Sequence, residues 1–164
     1  MKSIGRAAAF LSVLLSSLAL AAAEAQPRRE TPYWASVSSG RAMMRAGPGR
    51  NYPGTWLYVR ADLPVRVLEV YQSWRKVEDP DGTTGWMLVN LLSDTRTALV
   101  RGGEPQRMHE RPDPASPVRY RAEPGVVGRI SRCAGGWCRL DVRGRAGFIR
   151  SDHIWGLGRG ETIE

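Results

Sequence analysis

Two cysteines and two histidines are the side chains in this 164-residue chain best suited to nucleophilic or metal chemistry. Cys133 and Cys138 are separated by Ala-Gly-Gly-Trp. A thiolate at either position could attack a carbonyl or hold a metal. Neither use fits the spacing. Two cysteines four residues apart have no further ligands close by to complete a zinc site, and the C-x-x-C redox spacing is absent. A Cys–His nucleophile needs a reduced, activated thiol, and His109 and His153 stand far apart in the chain. Each cysteine has the other as its nearest partner. In an oxidising compartment they are expected to close a disulfide across a hairpin, with Gly135-Gly136 as the turn. Closing so short a loop contributes about 2 kcal/mol in the chain-entropy account. The carboxylates form no paired motif that would mark a glycosidase. Gly156-x-Gly158-x-Gly160 follows no strand–helix context, so it is no nucleotide loop. The expectation is a chain with no catalytic residue, no metal site and no cofactor, and hence not an enzyme.

The N-terminus is read apart from the fold. Lys2 and Arg6 precede an apolar run over residues 7–23, and small residues follow at Ala21, Ala22, Ala23 and Ala25. This is the charged–apolar–small order of a secretory signal peptide over residues 1–25, with cleavage after Ala23 or Ala25. An uncleaved membrane anchor is the competing reading, disfavoured because the run is short and diluted with Ala and Ser. The expected location is therefore periplasmic or secreted, with membrane contact only through the leader or peripheral charge.

The formal charge is +8, and nearly all of the positive charge is arginine: only Lys2 and Lys76 are lysines. Arginine presents a planar fork to carboxylates and phosphates. An acidic partner follows as an expectation. Nucleic acid is not expected, because the arginines are scattered rather than gathered in a stripe.

The elements that must position these residues are strands. Glycine (18) and proline (11) recur at short intervals, and short β-branched or aromatic runs lie between them. Residues 65–71, 74–78 and 85–89 read as strands, and Asp79-Pro80-Asp81-Gly82 reads as a turn. Laid on itself, the chain repeats. Trp74-x-x-Val77-Glu78, Gly82, Gly85-Trp86 and Leu92 match Trp137-x-x-Leu140-Asp141, Gly144, Gly147-Phe148 and Ile154. The spacing from Trp to aromatic is twelve residues in one copy and eleven in the other, and the difference falls in the turn. Met44-Arg45 faces Met108-His109 more weakly. The expected units are residues 32–99 and 100–157, with a frayed tail over 158–164.

The set Arg45-Ala46-Gly47-Pro48, Tyr52-Pro53, Trp74-x-x-Val77 and Gly85-Trp86 with a later Leu resembles the bacterial SH3-like (SH3b) domain family. Trp137-x-x-Leu140 and Gly147-Phe148 extend the resemblance to the second repeat. That repeat departs from the pattern: it lacks the Gly-Pro step, has Phe148 in place of Trp and adds the cysteine pair. Tyr33-Trp34-Ala35-Ser36, Gly85-Trp86-Met87 and Cys133-x4-Cys138-Arg139 are similar to exported two-repeat SH3-like proteins of Gram-negative bacteria. The resemblance implies an all-β protein of two tandem small SH3-like barrels with no chemistry of their own. Relatives are often attached to cell-wall hydrolases, which they hold on peptidoglycan.

In such barrels the stretch after Gly47 flanks a surface groove. Arg45, Tyr52, Trp56, Tyr58 and Trp74 are therefore the candidate ligand-binding residues, with Arg50 or Arg60 at the rim. Such a groove suits a peptide or glycan bearing carboxylates. The expected partner is peptidoglycan; the competing expectation is an envelope protein, with the chain as a periplasmic adaptor that has no affinity for the wall.

Overall fold

The computed structural model describes residues 29–164, so the leader expected over residues 1–25 lies outside the described residues. The described chain is all-β apart from two single-turn 3-10 helices, Val89–Leu91 and Ser151–His153. No helix among the described residues is long and apolar enough to cross a membrane.

The first barrel contains β1 (Tyr33–Val37), β2 (Ala42–Arg45), β3 (Gly54–Tyr58), β4 (Pro64–Tyr71), β5 (Trp74–Glu78), β6 (Thr84–Leu88) and β7 (Leu92–Ser93). The second contains β8 (Thr97–Val100), β9 (Gln106–His109), β10 (Val118–Ala122), β11 (Val127–Ala134), β12 (Trp137–Val142), β13 (Arg145–Arg150) and β14 (Ile154–Trp155). The strand orders are β3-β2-β6-β5-β4-β1-β7 and β10-β9-β13-β12-β11-β8-β14. The second order is the first shifted by seven elements, so the internal repeat is a repeat of topology. The weak match of Met44-Arg45 to Met108-His109 is structural too: Arg45 pairs with Trp86, and His109 pairs with Phe148.

Each sheet wraps its own core. Val37, Met44, Val65, Val67, Val77 and Met87 fill the first. Val100, Met108, Leu140, Ile149 and the two cysteines are among the residues of the second. The glycine before the aromatic has the same task in both copies. A Cβ on Gly85 would lie 2.6 Å from Met44 Cγ and 2.9 Å from the Arg45 carbonyl oxygen. On Gly147 it would lie 2.9 Å from Met108 Cβ and 3.1 Å from the His109 carbonyl oxygen. The crossing of β6 over β2, and of β13 over β9, leaves no room for a side chain.

Cys133 and Cys138 are bonded across the β11–β12 hairpin. By register they replace Val70 and Arg75 of the first barrel. Both are buried, with exposures of 1 % and 0 %. Alkylation of the unreduced protein should label neither thiol; labelling of both would refute the bond.

Two boundaries differ from expectation. Residues 97–99 belong to the second unit, because β8 pairs with β11 and β14; the junction is Asp94-Thr95-Arg96. The tail is not frayed. Ile163 exchanges backbone hydrogen bonds with Cys133 at 2.8 and 3.0 Å. Glu161 receives Arg96 Nη1 at 2.5 Å, while Arg96 Nη2 donates to the Gly156 carbonyl at 2.9 Å. Burial pushes the Glu161 carboxyl up, but Arg96 and the Gly158 N–H outweigh it and hold the group below the usual range.

The barrels are docked. Trp34 meets Trp155 edge to face, with ring centroids 4.6 Å apart. Leu99 and Val127 of the second barrel pack on the first core. The Arg101 guanidinium lies over Trp155 and donates to the Pro80 carbonyl. A unit of about 60 residues is marginal alone, so this apolar contact adds burial that each barrel lacks.

Candidate binding surface

The loop between β2 and β3 builds the candidate surface. Its glycines are needed for packing: a Cβ on Gly47 would sit 2.4 Å from the Tyr52 ring. The Tyr52 ring therefore lies flat on the loop backbone and still exposes 42 % of the residue. Arg45 Nη1 donates to the Tyr52 carbonyl at 2.7 Å, and Ala46 N–H donates to the Pro53 carbonyl at 3.1 Å. Arg45 is thus committed to holding the loop closed.

The second barrel uses a different residue for the same bond. His109 Nδ1 lies 2.8 Å from the Ser116 carbonyl, seven residues on, as Tyr52 is seven residues after Arg45. A carbonyl only accepts, so Nδ1 carries the proton. The His109 ring also stands edge-on to Trp137 at 5.5 Å. This loop-pinning position is legible in sequence only through the weak Met-Arg/Met-His alignment.

On β3 the aromatic residues divide. Trp56, opposite Met44, is 57 % exposed at the sheet edge. Its equivalent by register in the second barrel, Tyr120 opposite Met108, is 39 % exposed. Leu57 and Val59 are also exposed beside Trp56.

Two of the expected ligand contacts are corrected. Tyr58 is buried, because its register partner Ala42 is small and leaves space for the ring in the core. Its hydroxyl donates to Asp79 Oδ2 at 2.8 Å. Burial, then the hydrogen bond and charge of Asp79, push the phenol well above its ordinary range. Trp74 is also buried, opposite Leu88 on β6 and Tyr71 on β4, and has no open face for a ligand. Arg50 remains exposed near the loop, while Arg60 lines a cleft between the barrels. The surviving surface is Tyr52 and Trp56, framed by Arg45.

Asp79 is the residue that sequence reasoning missed. It is 5 % exposed, and its Oδ1 accepts the N–H groups of Asp81 and Thr83 at 3.0 and 2.8 Å. The Asp-Pro-Asp-Gly string signalled a turn, but not that its first carboxylate closes over a core tyrosine.

The pattern described as "Bacterial SH3 domain" matches residues 38–94 and again residues 102–156. The chain belongs to the bacterial SH3 domain family. Both family segments map onto the two barrels, and the Gly-aromatic step of each lies at the strand crossing.

Among solved structures, the chain is similar to NlpC2 from Trichomonas vaginalis, at 16 % identity and TM-score 0.34, over 77 % of this chain and 49 % of that one. It is similar to NlpC1 from Trichomonas vaginalis, at 17 % identity and TM-score 0.33, over 88 % of this chain and 50 % of that one. A NlpC/P60 family protein from Bacillus cereus aligns at 12 % identity and TM-score 0.34, over 74 % and 55 %. The chain thus spans about half the length of these structures. A search of curated proteins gives no match.

For an SH3 domain of this kind, the surface offers an exposed indole beside a rigid loop. An indole edge stacks on a sugar face or an apolar peptide side chain, and its N–H can donate to a carbonyl. Among the described residues, no group of three His, Cys, Asp or Glu side chains is arranged to hold a metal.

Proposed function

We propose that the chain is a non-catalytic binding module of the cell envelope that recognises peptidoglycan or its peptides. Membership of the bacterial SH3 domain family supports an envelope role. The leader-like residues 1–25 and the basic charge support an exported protein facing an anionic wall. The observation that carries the reading is the pairing of exposed Trp56 with the loop closed by Arg45, repeated at Tyr120 and His109. The Trp56 ring rests against Tyr58, with centroids 6.5 Å apart, yet leaves 57 % of the residue open to solvent, and a pinned loop lowers the ordering cost of binding.

Incubation with purified sacculi followed by sedimentation tests this. The protein should pellet with the wall, and Trp56→Ala should weaken binding by about tenfold with no loss of thermal stability. Complete recovery in the supernatant overturns the proposal.

A second reading is an adaptor between envelope proteins. It draws on Leu57 and Val59, which extend the apolar edge beyond Trp56. Co-purification with a single partner, without wall binding, would favour it.

A further inference from the structure

A cleft lies away from the Trp56 surface, between the two barrels. It has a volume of about 630 Å³ and is walled by residues 59–62 of the β3–β4 loop on one side. On the other side stand β11 and the β12–β13 hairpin. A second hollow of about 450 Å³ continues from it and shares Arg60, Val127 and Arg143.

Four arginines line this continuous cleft: Arg60, Arg129, Arg143 and Arg145. Among the described residues, none of the four makes a side-chain hydrogen bond or ion pair; Arg119 and Arg121 on the β10 edge share that, so what sets the four apart is their convergence in one concavity. Asp62 and Asp141 are the two carboxylates in the same walls. Asp141 is already engaged: its Oδ1 accepts the Gly144 N–H at 2.7 Å, and its Oδ2 lies 4.0 Å from Arg139. Like charges gathered in a concavity repel one another and focus the field outward, an arrangement that costs stability and attracts an anion.

The backbone adds an independent observation. Arg143 has φ 52° and Gly144 φ 85° at the tip of the β12–β13 hairpin. Two successive positive φ values are those of a type I′ turn, whose first position favours Asn, Asp or Gly. An arginine there carries about 1 kcal/mol of avoidable backbone strain. Across the cleft Asp62 is also left-handed, with φ 63°. The matching hairpin of the first barrel reads Asp-Pro-Asp-Gly, so the basic tip is particular to the second.

Val126, Val127 and Val142 line the second hollow; each packs partly on a barrel core and leaves the rest of its surface open to the hollow. A free ion or a phosphodiester polymer would leave the open part of these valines uncovered. A bilayer surface is too flat to fill a recessed cleft. A peptide with carboxylates spaced by small apolar side chains satisfies both the arginine forks and the valines.

We infer that the inter-barrel cleft binds an extended acidic peptide, through a site separate from the Trp56 surface. Arg60 and Arg143 hold its carboxylates from opposite barrels, so docking of the barrels sets the spacing that the ligand must match. The inference does not depend on wall binding through Trp56.

The test is a titration of the full chain with a labelled (Glu-Ala)4 peptide, followed by fluorescence anisotropy at low and at 300 mM salt. Arg60→Gln combined with Arg143→Asn should weaken binding at least tenfold; asparagine suits the I′ turn, so the fold survives. Arg119→Gln with Arg121→Gln, on the exposed β10 edge, should change it less than twofold, and so should Trp56→Ala. Equal losses in the two double variants would reduce the effect to overall charge and overturn the inference. So would tighter binding to inorganic polyphosphate, or to vesicles of one part phosphatidylglycerol to three parts phosphatidylcholine, than to the peptide. Loss of peptide binding in Trp56→Ala alone would move the ligand to the other surface.

Discussion

Gly156→Ala is expected to unfold the second barrel at temperatures where the parent is folded. Gly156 is buried just after β14, with φ 131°. A Cβ there would lie 2.3 Å from the Thr97 carbonyl oxygen and 2.9 Å from Ala98 Cα. Both obstacles are backbone of β8, so no side chain can swing aside. Placing an L-residue in this φ region costs about 1–3 kcal/mol, and overpacking a tight site costs about 1–3 more. Small domains hold a margin of about 5 kcal/mol, so the sum removes most of it. The Gly156 carbonyl also accepts Arg96, which in turn holds Glu161, so a shift of Gly156 loosens the junction and the tail together. Circular-dichroism melting should show the midpoint falling by about 15 °C or more. Gly160→Ala is the control: φ is also positive at 72°, but nothing lies within 4 Å of its Cβ. A shift for Gly156→Ala no larger than that for Gly160→Ala would refute the packing argument. The sequence Gly156-x-Gly158-x-Gly160 thus has a structural account, close approach of strand to strand, at its first position.

Asp79→Ala is expected to cost about 3 kcal/mol or more. The substitution strips a partner from the Tyr58 hydroxyl and from the Asp81 and Thr83 N–H groups at once. A buried hydroxyl left unpaired costs about 1–3 kcal/mol, and hydrogen bonds to a charged acceptor are worth more than neutral ones. Asp79→Asn retains the accepting oxygen for the turn and should lose less. Urea unfolding should show the midpoint moving in that order. The same pair sets a pH dependence. The folded state raises the Tyr58 pKa above its unfolded value near 10, so it favours the protonated phenol. Its contribution is therefore complete below about pH 10 and is lost as pH rises further. Stability between pH 8 and pH 11.5 should fall less steeply in Tyr58→Phe than in the parent. A parallel decline in both proteins would show that Tyr58 does not govern the alkaline limb.

Much of the architecture was legible because strands and hairpins write themselves locally. Val65–Tyr71 mostly alternates, Trp74–Glu78 and the Asp-Pro-Asp-Gly turn follow, and Gly85-Trp86 begins the return; the second copy repeats the order from its Trp onward. The cysteine pair was legible for the same reason, since register across a two-residue turn places Cys133 opposite Cys138. The division of the aromatics was not. Residues 54–58, Gly-Thr-Trp-Leu-Tyr, offer no clear polar–apolar alternation, and Trp56 and Tyr58 sit on the same side of the strand by parity. What separates them is distance from the barrel end and the small Ala42 across from Tyr58. The tail was misread because its few apolar residues gave no pattern, yet the Ile163 backbone pairs with Cys133 and Glu161 ties it to Arg96.

The sequence by itself determined the β class, the two-fold repeat, the disulfide and the resemblance to bacterial SH3 domains, because each depends on residues close together in the chain. Only the tertiary structure decided which of the candidate binding residues face solvent, where one barrel ends, and which arginines converge. Arg60 and Arg143 are separated in sequence by more than the length of a barrel and share one cleft only because Trp34, Trp155 and Leu99 dock the two units. Convergence of charge from separate turns depends on that packing, and no local pattern encodes it.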